Sequence, residues 1–447
     1  MAVFAGWAPQ QKGLILDGCA GPGGWSEGIR RWLGLTDVGL EWDAAACETR
    51  RAAGHTTVRV DVSSFVLTPL VGQVWGLLFS PPCTKFSTAG KQFGMRVMGL
   101  LADGIQRMLR GDDCREELRE RIFPVALAQQ EADNAERVAK GKRPWTVAQV
   151  EAAAREDAFV TVLVLEPARY LWELTTGDTS AGIPLEWAAF EQVPGVLPLW
   201  KVYGEELRRL GWFVWSGVLN AADYGVPQTR RRAVLLASAV RPMGPPAPTH
   251  SKEIEAEDLF GEARPQYVTM ADALGLVPSL IVNTRGERKT QGGNEFPVDE
   301  PSQALTARAR SWTLHTNRNQ QPDGSRQTID PHTAPAPALT SKSGGQWVLK
   351  HNARANATVR TMSEPAATLA FGHARNEYVF TDGDKSRMLT VPEGSILQSF
   401  PEDYPWQGTK TKAYEQIGNA VPPLLAAHVV AAATGVPFLQ DALASAA

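Results

Sequence analysis

At 447 residues, 43% hydrophobic and 21% charged, the chain is long enough to bury a large core, in two domains or in one with large inserts. A net charge of −3 excludes a uniformly basic coat, so any nucleic acid must be met by a local basic surface. Four cysteines without a C-x-x-C pair disfavour a zinc site or disulfide framework; no apolar run reaches membrane-spanning length and Met1–Gln10 lacks signal-peptide features, so a cytoplasmic protein is expected.

Leu14–Asp17 reads as a short buried strand, followed by Gly18-Cys19-Ala20-Gly21-Pro22-Gly23-Gly24 and an amphipathic helix from about Trp25 to Leu33. Glycines between a strand and a helix let a ligand approach the backbone and expose helix N–H groups. A second strand, Asp37–Leu40, ends in Glu41-Trp42-Asp43. An acid roughly twenty residues past the glycines is placed to accept hydrogen bonds from ribose hydroxyls, and Trp42 can stack on a purine. Val58–Val60 leads to Asp61, another strand-end carboxylate. The glycines alone fit a plain turn. With Glu41-Trp42 and Asp61 at successive strand ends, they favour an adenosine-bearing cofactor.

A hydrophobic strand, Val74–Phe79, runs into Ser80-Pro81-Pro82-Cys83-Thr84-Lys85-Phe86-Ser87. A thiol at the carboxyl end of a strand sits where open α/β sheets bind ligands, and the prolines prevent helix or ladder from continuing. Thr84, Ser87, Thr88, Gly90 and Gly94 suit a loop that closes over a substrate. Taken alone, Cys83 fits an inert buried thiol at least as well. Residues 95–158, with mixed charges such as Asp112, Arg115 and Glu117, read as one or two exposed helices covering or flanking the site's mouth. Glu166 and Arg169 are spaced for a structural pair.

Glu191 follows Ala188–Phe190 and precedes Val193-Pro194-Gly195, at one more strand end. Among apolar neighbours a carboxyl's pKa rises and it can donate a proton near neutral pH; a surface strand-end acid is the plain alternative. After a helix near Leu199–Leu210, Gln228, Arg230 and Arg232 alternate ahead of the buried run Ala233–Leu236. Period two puts the three on one face, a donor row for a phosphate or base edge or a solvated edge strand.

Residues 281–380 repeat a turn-and-strand unit: Pro301 to Leu314, Pro335 to Leu349, Pro365 to Phe380. Tandem hairpins are expected. Their strands carry or adjoin Asn283, Arg285, Asn317, Arg318, His351, Asn352 and Arg354. Arg and Asn suit bidentate reading of guanine and adenine; a β scaffold with solvated loops is the alternative.

In this order the segments resemble the C5-cytosine DNA methyltransferase family over most of the chain. The opening motif falls on Asp17-Gly18-Cys19-Ala20-Gly21-Pro22-Gly23-Gly24, with Cys19 where an aromatic is usual. The cofactor acid and aromatic fall on Glu41 and Trp42, and the adenine-contacting acid on Asp61. Pro82-Cys83 matches the nucleophile motif, with Thr84 where Gln is frequent. Glu191-Gln192-Val193 stands for Glu-Asn-Val, and Gln228, Arg230 and Arg232 match Gln-x-Arg-x-Arg. Arg387 to Pro401 matches the ninth motif and Gly418 to Pro423 the tenth.

The resemblance implies a doubly wound, Rossmann-like α/β fold. Its catalytic domain spans 1–270 with a helical insertion at 95–158, a smaller β-rich target-recognition domain spans 271–380, and 381–447 returns to the catalytic domain. It implies methyl transfer from S-adenosyl-L-methionine to C5 of a flipped-out cytosine in specific duplex DNA, through a covalent Cys83–C6 adduct. Cys83, Glu191, Arg230 and Arg232 are then catalytic. Asp17, Cys19, Ala20, Gly21, Gly23, Gly24, Glu41, Trp42, Asp61, Pro82, Asn419 and Val421 bind cofactor, Ser87 and Gln228 bind substrate, and no metal is needed. Double-stranded DNA is the implied partner and a cognate restriction endonuclease a candidate one, for a monomeric, prokaryotic or phage-encoded cytoplasmic enzyme without a membrane partner. The rivals are a same-fold enzyme acting on RNA, a silent DNA-binding module, and transfer of a group other than methyl.

Overall fold

A computed structural model describes residues 11–82, 85–86, 93–180, 182–253, 263–275 and 390–439, together with the backbone of 282–285, 348–351, 357–361, 378–382 and 385–388. Its centre is a seven-stranded sheet of β1 (Leu14–Gly18), β2 (Val38–Glu41), β3 (Thr56–Arg59), β4 (Val74–Phe79), β5 (Trp187–Gln192), β6 (Phe213–Asn220) and β7 (Arg231–Ser238), in the order β3-β2-β1-β4-β5-β7-β6. β1 to β5 pair in parallel, and β7 runs against both β5 and β6. The central strands are buried end to end, as a sheet covered on both faces requires.

Period two divides their side chains between two cores. Ile15, Leu78, Trp187 and Ala189 pack beneath α1 (Gly24–Leu33), while Leu16, Leu77, Phe79, Ala188 and Phe190 face the opposite layer. The fold is therefore doubly wound. After β1 the chain proceeds outward to β2 and β3 through α2 (Ala44–Ala52), then returns to β4 on β1's other side. That reversal opens a crevice at the carboxyl ends of β1 and β4. The glycine loop leaves one lip and Ser80-Pro81-Pro82 the other.

Between β4 and β5 stand α3 (Phe93–Arg96), α4 (Met98–Met108), α5 (Arg115–Ala139), α6 (Val147–Val162) and α7 (Glu166–Thr176). The expectation of one or two exposed helices over 95–158 needs correction. Leu101, Ile105 and Met108 of α4 are buried, and so are Leu118, Ile122 and Ala126 of α5 and Ala154, Ala158 and Val162 of α6. All join the core beneath the sheet, because the charges that dominate the composition occupy the helices' outer faces. A capping box, Thr146 with Gln149, starts α6, and the short turn before it folds α5 and α6 into a hairpin. Glu166 and Arg169 pair as expected at 2.9 Å, and Arg115 joins them at 2.8 Å from Glu166.

α8 (Leu197–Arg209) covers β6 and β7, and α9 (Met270–Leu274) follows. A second sheet, antiparallel throughout, contains β8 (Val282–Arg285), β9 (Val348–His351), β10 (Ala357–Thr361), β11 (Tyr378–Asp382) and β12 (Lys385–Met388) in the order β12-β11-β9-β10-β8. The strands of the second and third sequence repeats are neighbours here, with Leu349 opposite Phe380. The first repeat, Asn317, Arg318, Asn352 and Arg354 lie outside the described residues.

The chain closes with α10 (Val391–Leu397), α11 (Lys410–Asn419) and α12 (Pro423–Thr434). Contrary to the sequence reading, Lys410–Thr434 has the length and hydropathy of a membrane span, yet 72% of its most apolar window is buried within the protein. Ala420 to Pro422 interrupts the helix, and α12 packs on α1 and the sheet as a core helix.

Candidate active site

The glycine loop departs from β1 through left-handed backbone: Cys19 has φ 57°, Gly21 φ 53° and Gly23 φ 104°. Cys19 carries a side chain in that region, a conformation costing about 1–3 kcal/mol and typical of functional turns. A Cβ on Gly24 would lie 2.2 Å from the Val421 carbonyl oxygen, so only glycine lets the C-terminal segment close against the start of α1. Loop and segment together wall a cavity of about 460 Å³, within the range of small-molecule sites.

Glu41 at the end of β2 fixes the loop. Its Oε2 accepts the Gly21 N–H at 2.8 Å, and its Oε1 accepts those of Trp42 and Asp43, each at 2.8 Å. A carboxylate oxygen takes two hydrogen bonds. Oε1 is thus filled, and Oε2 retains room for one ligand hydroxyl. The neighbouring Trp42 is 67% exposed on the cavity's edge, an open aromatic face. Asp61 accepts the Ser63 N–H at 2.8 Å through Oδ1, leaving its other oxygen for an amino group. Ribose, purine and exocyclic amine could each be met by these groups, so the residues present fit an adenosine-bearing cofactor.

On the facing lip, Pro82 lines the cavity and the Pro81 carbonyl accepts the Gln192 side-chain amide at 2.6 Å. Cys83 and Ser87 lie outside the described residues. Glu191 and Arg232 both line the cavity and pair at 2.8 Å, Nε to Oε1. Glu191 is therefore faced by a guanidinium and is not in purely apolar surroundings. β5–β7 pairing sets Gln192 opposite Ala233, which brings Arg232 beside Glu191.

The remaining expected residues divide. Ala20, Asn419 and Val421 line the cavity. Asp17 and Gly23 do not. The Asp17 side chain is wholly buried beneath the loop, 3.7 Å from Arg50, which also holds Asp37 at 3.0 Å. Burial, and then the Asp37 charge, push the Asp17 carboxyl well above the usual carboxylate range. Gly23 packs against Tyr404 and His55.

The row Gln228, Arg230, Arg232 is also corrected, because β7 begins at Arg231 and the first two precede it. Gln228 is fully buried, bonded to Gln398 at 2.8 Å and to the Leu397 carbonyl at 3.3 Å, and does not line the cavity. Arg230 lines it but donates to the Gly418 carbonyl at 3.0 Å. These two tie the C-terminal segment to the sheet, Gln228 away from the cavity and Arg230 on its wall.

Cys19, Cys47 and Cys114 are all pushed up as thiols, burial being the largest cause in each and the Glu41 charge adding to it for Cys19 and Cys47. None is poised to be a thiolate. Glu156, Phe159, Val160 and Leu163 bring α6 and its end to the cavity wall, and Trp25 Nε1 donates to Ser80 Oγ at 2.9 Å, although no motif marks these residues. Among the described residues no cluster of His, Cys, Asp or Glu is set to hold a metal ion.

The profile of one family, C-5 cytosine-specific DNA methylase, matches residues 14–106 and 191–434. It passes over 107–190, which holds α5, α6 and α7. Type II methyltransferase M1.HphI of Haemophilus parahaemolyticus is 29% identical over 51% of this chain and 50% of its own, and M.DdeI of Desulfomicrobium norvegicum is 27% identical over 50% and 55%. The chain thus spans about half the length of these curated relatives. The solved Entamoeba histolytica methyltransferase EhMeth aligns over 95% of this chain and 98% of its own, at 11% identity and TM-score 0.45.

Proposed function

The chain belongs to the C-5 cytosine-specific DNA methylase family, and on that premise we propose that it transfers a methyl group from S-adenosyl-L-methionine to C5 of a cytosine in double-stranded DNA. One observation carries the reading: the Glu191–Arg232 pair and Pro82, the residue bonded to Cys83, share a single cavity with Glu41, Trp42 and Asp61. Acid, cation and cofactor contacts therefore converge where the nucleophile motif leaves β4.

Cytosine C5 is a weak nucleophile until C6 is attacked. A few per cent of a free thiol is ionised at pH 7, and sulfur is intrinsically very nucleophilic. Addition of the Cys83 thiolate forms an S–C6 bond and moves the C5–C6 π pair onto C5. Negative charge then builds on the ring. Glu191 relieves it by hydrogen-bonding or protonating N3, and Arg232 stabilises it at O2. The cofactor supplies an electrophilic methyl group on a sulfonium. Once C5 carries that methyl, loss of its proton to a base restores the C5–C6 double bond and expels the thiolate. The base must leave the duplex to reach Cys83, at a cost of roughly a few kcal/mol. The polar and basic residues that the sequence places in the region of the five-stranded sheet, Asn283 and Arg285 among them, are offered as target readers. The similarity to Type II methyltransferases supports a restriction–modification setting.

The test is transfer of tritiated methyl from S-adenosyl-L-methionine to duplex DNA and, separately, to RNA, followed by digestion to nucleosides. Label is expected in 5-methylcytosine from DNA. Cys83→Ser should abolish transfer while cofactor still binds. Full activity in that variant, or label confined to RNA, would overturn the reading.

A further inference from the structure

We propose that Asp157, on the α5–α6 hairpin outside the family match, is a positioning residue that holds the chain segment carrying Cys83. The inference rests on the reading of Cys83 just given. Asp157 is 7% exposed, and both of its carboxylate oxygens are engaged: one pairs with Lys85 Nζ and the other accepts the Gln130 side-chain amide at 2.7 Å. Gln130 lies on α5, so both arms of the hairpin meet at this ion pair.

Lys85 is two residues from Cys83 in sequence, a span of at most about 7 Å. Whatever fixes Lys85 therefore limits where the sulfur can go. The same point is tied twice more. The Lys85 carbonyl accepts the Gly94 N–H at 2.8 Å, and Phe86 is 2% exposed with its ring against Gly94. On the other side of Cys83, the Pro81 carbonyl is held by Gln192, the neighbour of Glu191. In sequence Cys83 thus falls between two anchored points, Pro81 held from the sheet and Lys85 held from the hairpin.

The hairpin anchor is also joined to the cofactor cavity. Glu156, next to Asp157, and Phe159 and Val160 line that cavity from the same turn of α6. One helix turn touches both the cofactor space and the nucleophile's support. A tether that merely attached a surface hairpin would not need to grip the chain beside Cys83. It would also have no reason to reach the cavity.

The experiment uses the full chain and compares wild type with Asp157→Asn, Lys85→Met, their combination, the swap Lys85→Asp with Asp157→Lys, and Glu151→Gln on the exposed side of α6 as control. Three readouts are taken: single-turnover methyl transfer to mixed-sequence duplex DNA at saturating cofactor, cofactor Kd by calorimetry, and the rate of Cys83 alkylation by iodoacetamide, followed by mass spectrometry. Each single variant should slow transfer about 10–100-fold, the scale of a misplaced reacting group. Each should also shift the alkylation rate, with cofactor Kd held within about twofold. The double variant should be no slower than either single one, the mark of a shared interaction, and the swap should recover part of the rate. Transfer and alkylation at wild-type rates in both single variants would overturn the proposal, as would a loss fully accounted for by weaker cofactor binding. If Asp157→Asn does not fold, Lys85→Met decides alone. Should wild type transfer no methyl group to DNA, the function fails, while the alkylation rates still judge the anchor.

Discussion

Glu191 and Arg232 stand 2.8 Å apart with side chains 8% and 10% exposed, so each is what makes the other's burial tolerable. Glu191→Gln keeps the shape but leaves a guanidinium facing a neutral amide and removes the carboxyl group that would carry a proton to the ring. Loss of a positioned acid typically costs about 10²–10⁴-fold. Single-turnover methyl transfer should fall within that range while cofactor affinity holds, since no Glu41, Trp42 or Asp61 contact changes; retained rate would remove Glu191 from the chemistry. Trp42 calls for the converse pattern. It is 67% exposed beside a carboxylate tied by three backbone N–H groups, an arrangement that fixes its backbone and leaves its ring to a ligand. Stacking of a base on an aromatic ring is worth about 1–3 kcal/mol by alanine substitution. Trp42→Ala should therefore raise cofactor Kd roughly 5–150-fold in calorimetry and Trp42→Phe much less, with the rate at saturation little altered.

At the level of elements, the seam between α1 and α12 sets two effects against each other. Alanine in place of a helical glycine ordinarily stabilises by about 1 kcal/mol. At Gly28 an added Cβ would lie 2.2 Å from the Pro423 carbonyl oxygen and 3.0 Å from Ala426 Cβ, so α12 must move away. Overpacking costs about 1–3 kcal/mol, and the carbonyl is backbone that cannot rotate aside. Gly28→Ala should lower the urea midpoint despite its helix propensity; a raised midpoint would mean that the seam is looser than its contacts. Strands were legible in the sequence where a buried apolar run ended in an acid or a glycine, which is why the strand ends at Glu41 and Glu191 could be read, whereas β3 ahead of Asp61 is short and largely exposed. What could not be read was register. Arg232 meets Glu191 only because β7 runs antiparallel to β5. Gln228 reaches Gln398, 170 residues on, and Lys85 reaches Asp157, 72 residues on. Periodicity reports which face a side chain takes, whereas these pairings depend on sheet order and on a hairpin that carries no motif.

Across the whole molecule, the C-terminal segment must return to complete the cavity, and its attachment has a titratable joint. His428 of α12 sits between the rings of Tyr224, 5.2 Å away, and Phe438, 4.6 Å away. Burial, aided by nearby His250, lowers its pKa from 6.5 to about 4. Between those values the unfolded chain binds a proton that the native state refuses, so stability rises with pH across the window. The contribution is complete above pH 6.5 and is lost as pH falls toward 4. Asp17 has the opposite sense: its raised carboxyl favours the fold at low pH, and that share is lost as pH rises through its folded value. Replacing His428 alone separates the two. From pH 7.5 to 5.0, wild type should lose up to about 2 kcal/mol through His428, at about 1.4 kcal/mol per pKa unit. His428→Phe, which keeps a ring between Tyr224 and Phe438, should lose correspondingly less in urea denaturation at the two pH values. Since Val421 and Pro423 carry α12 directly from the cavity wall, acidification should also weaken cofactor binding more in wild type than in the variant. Equal acid sensitivity in the two proteins would place the pH-dependent joint elsewhere than on α12.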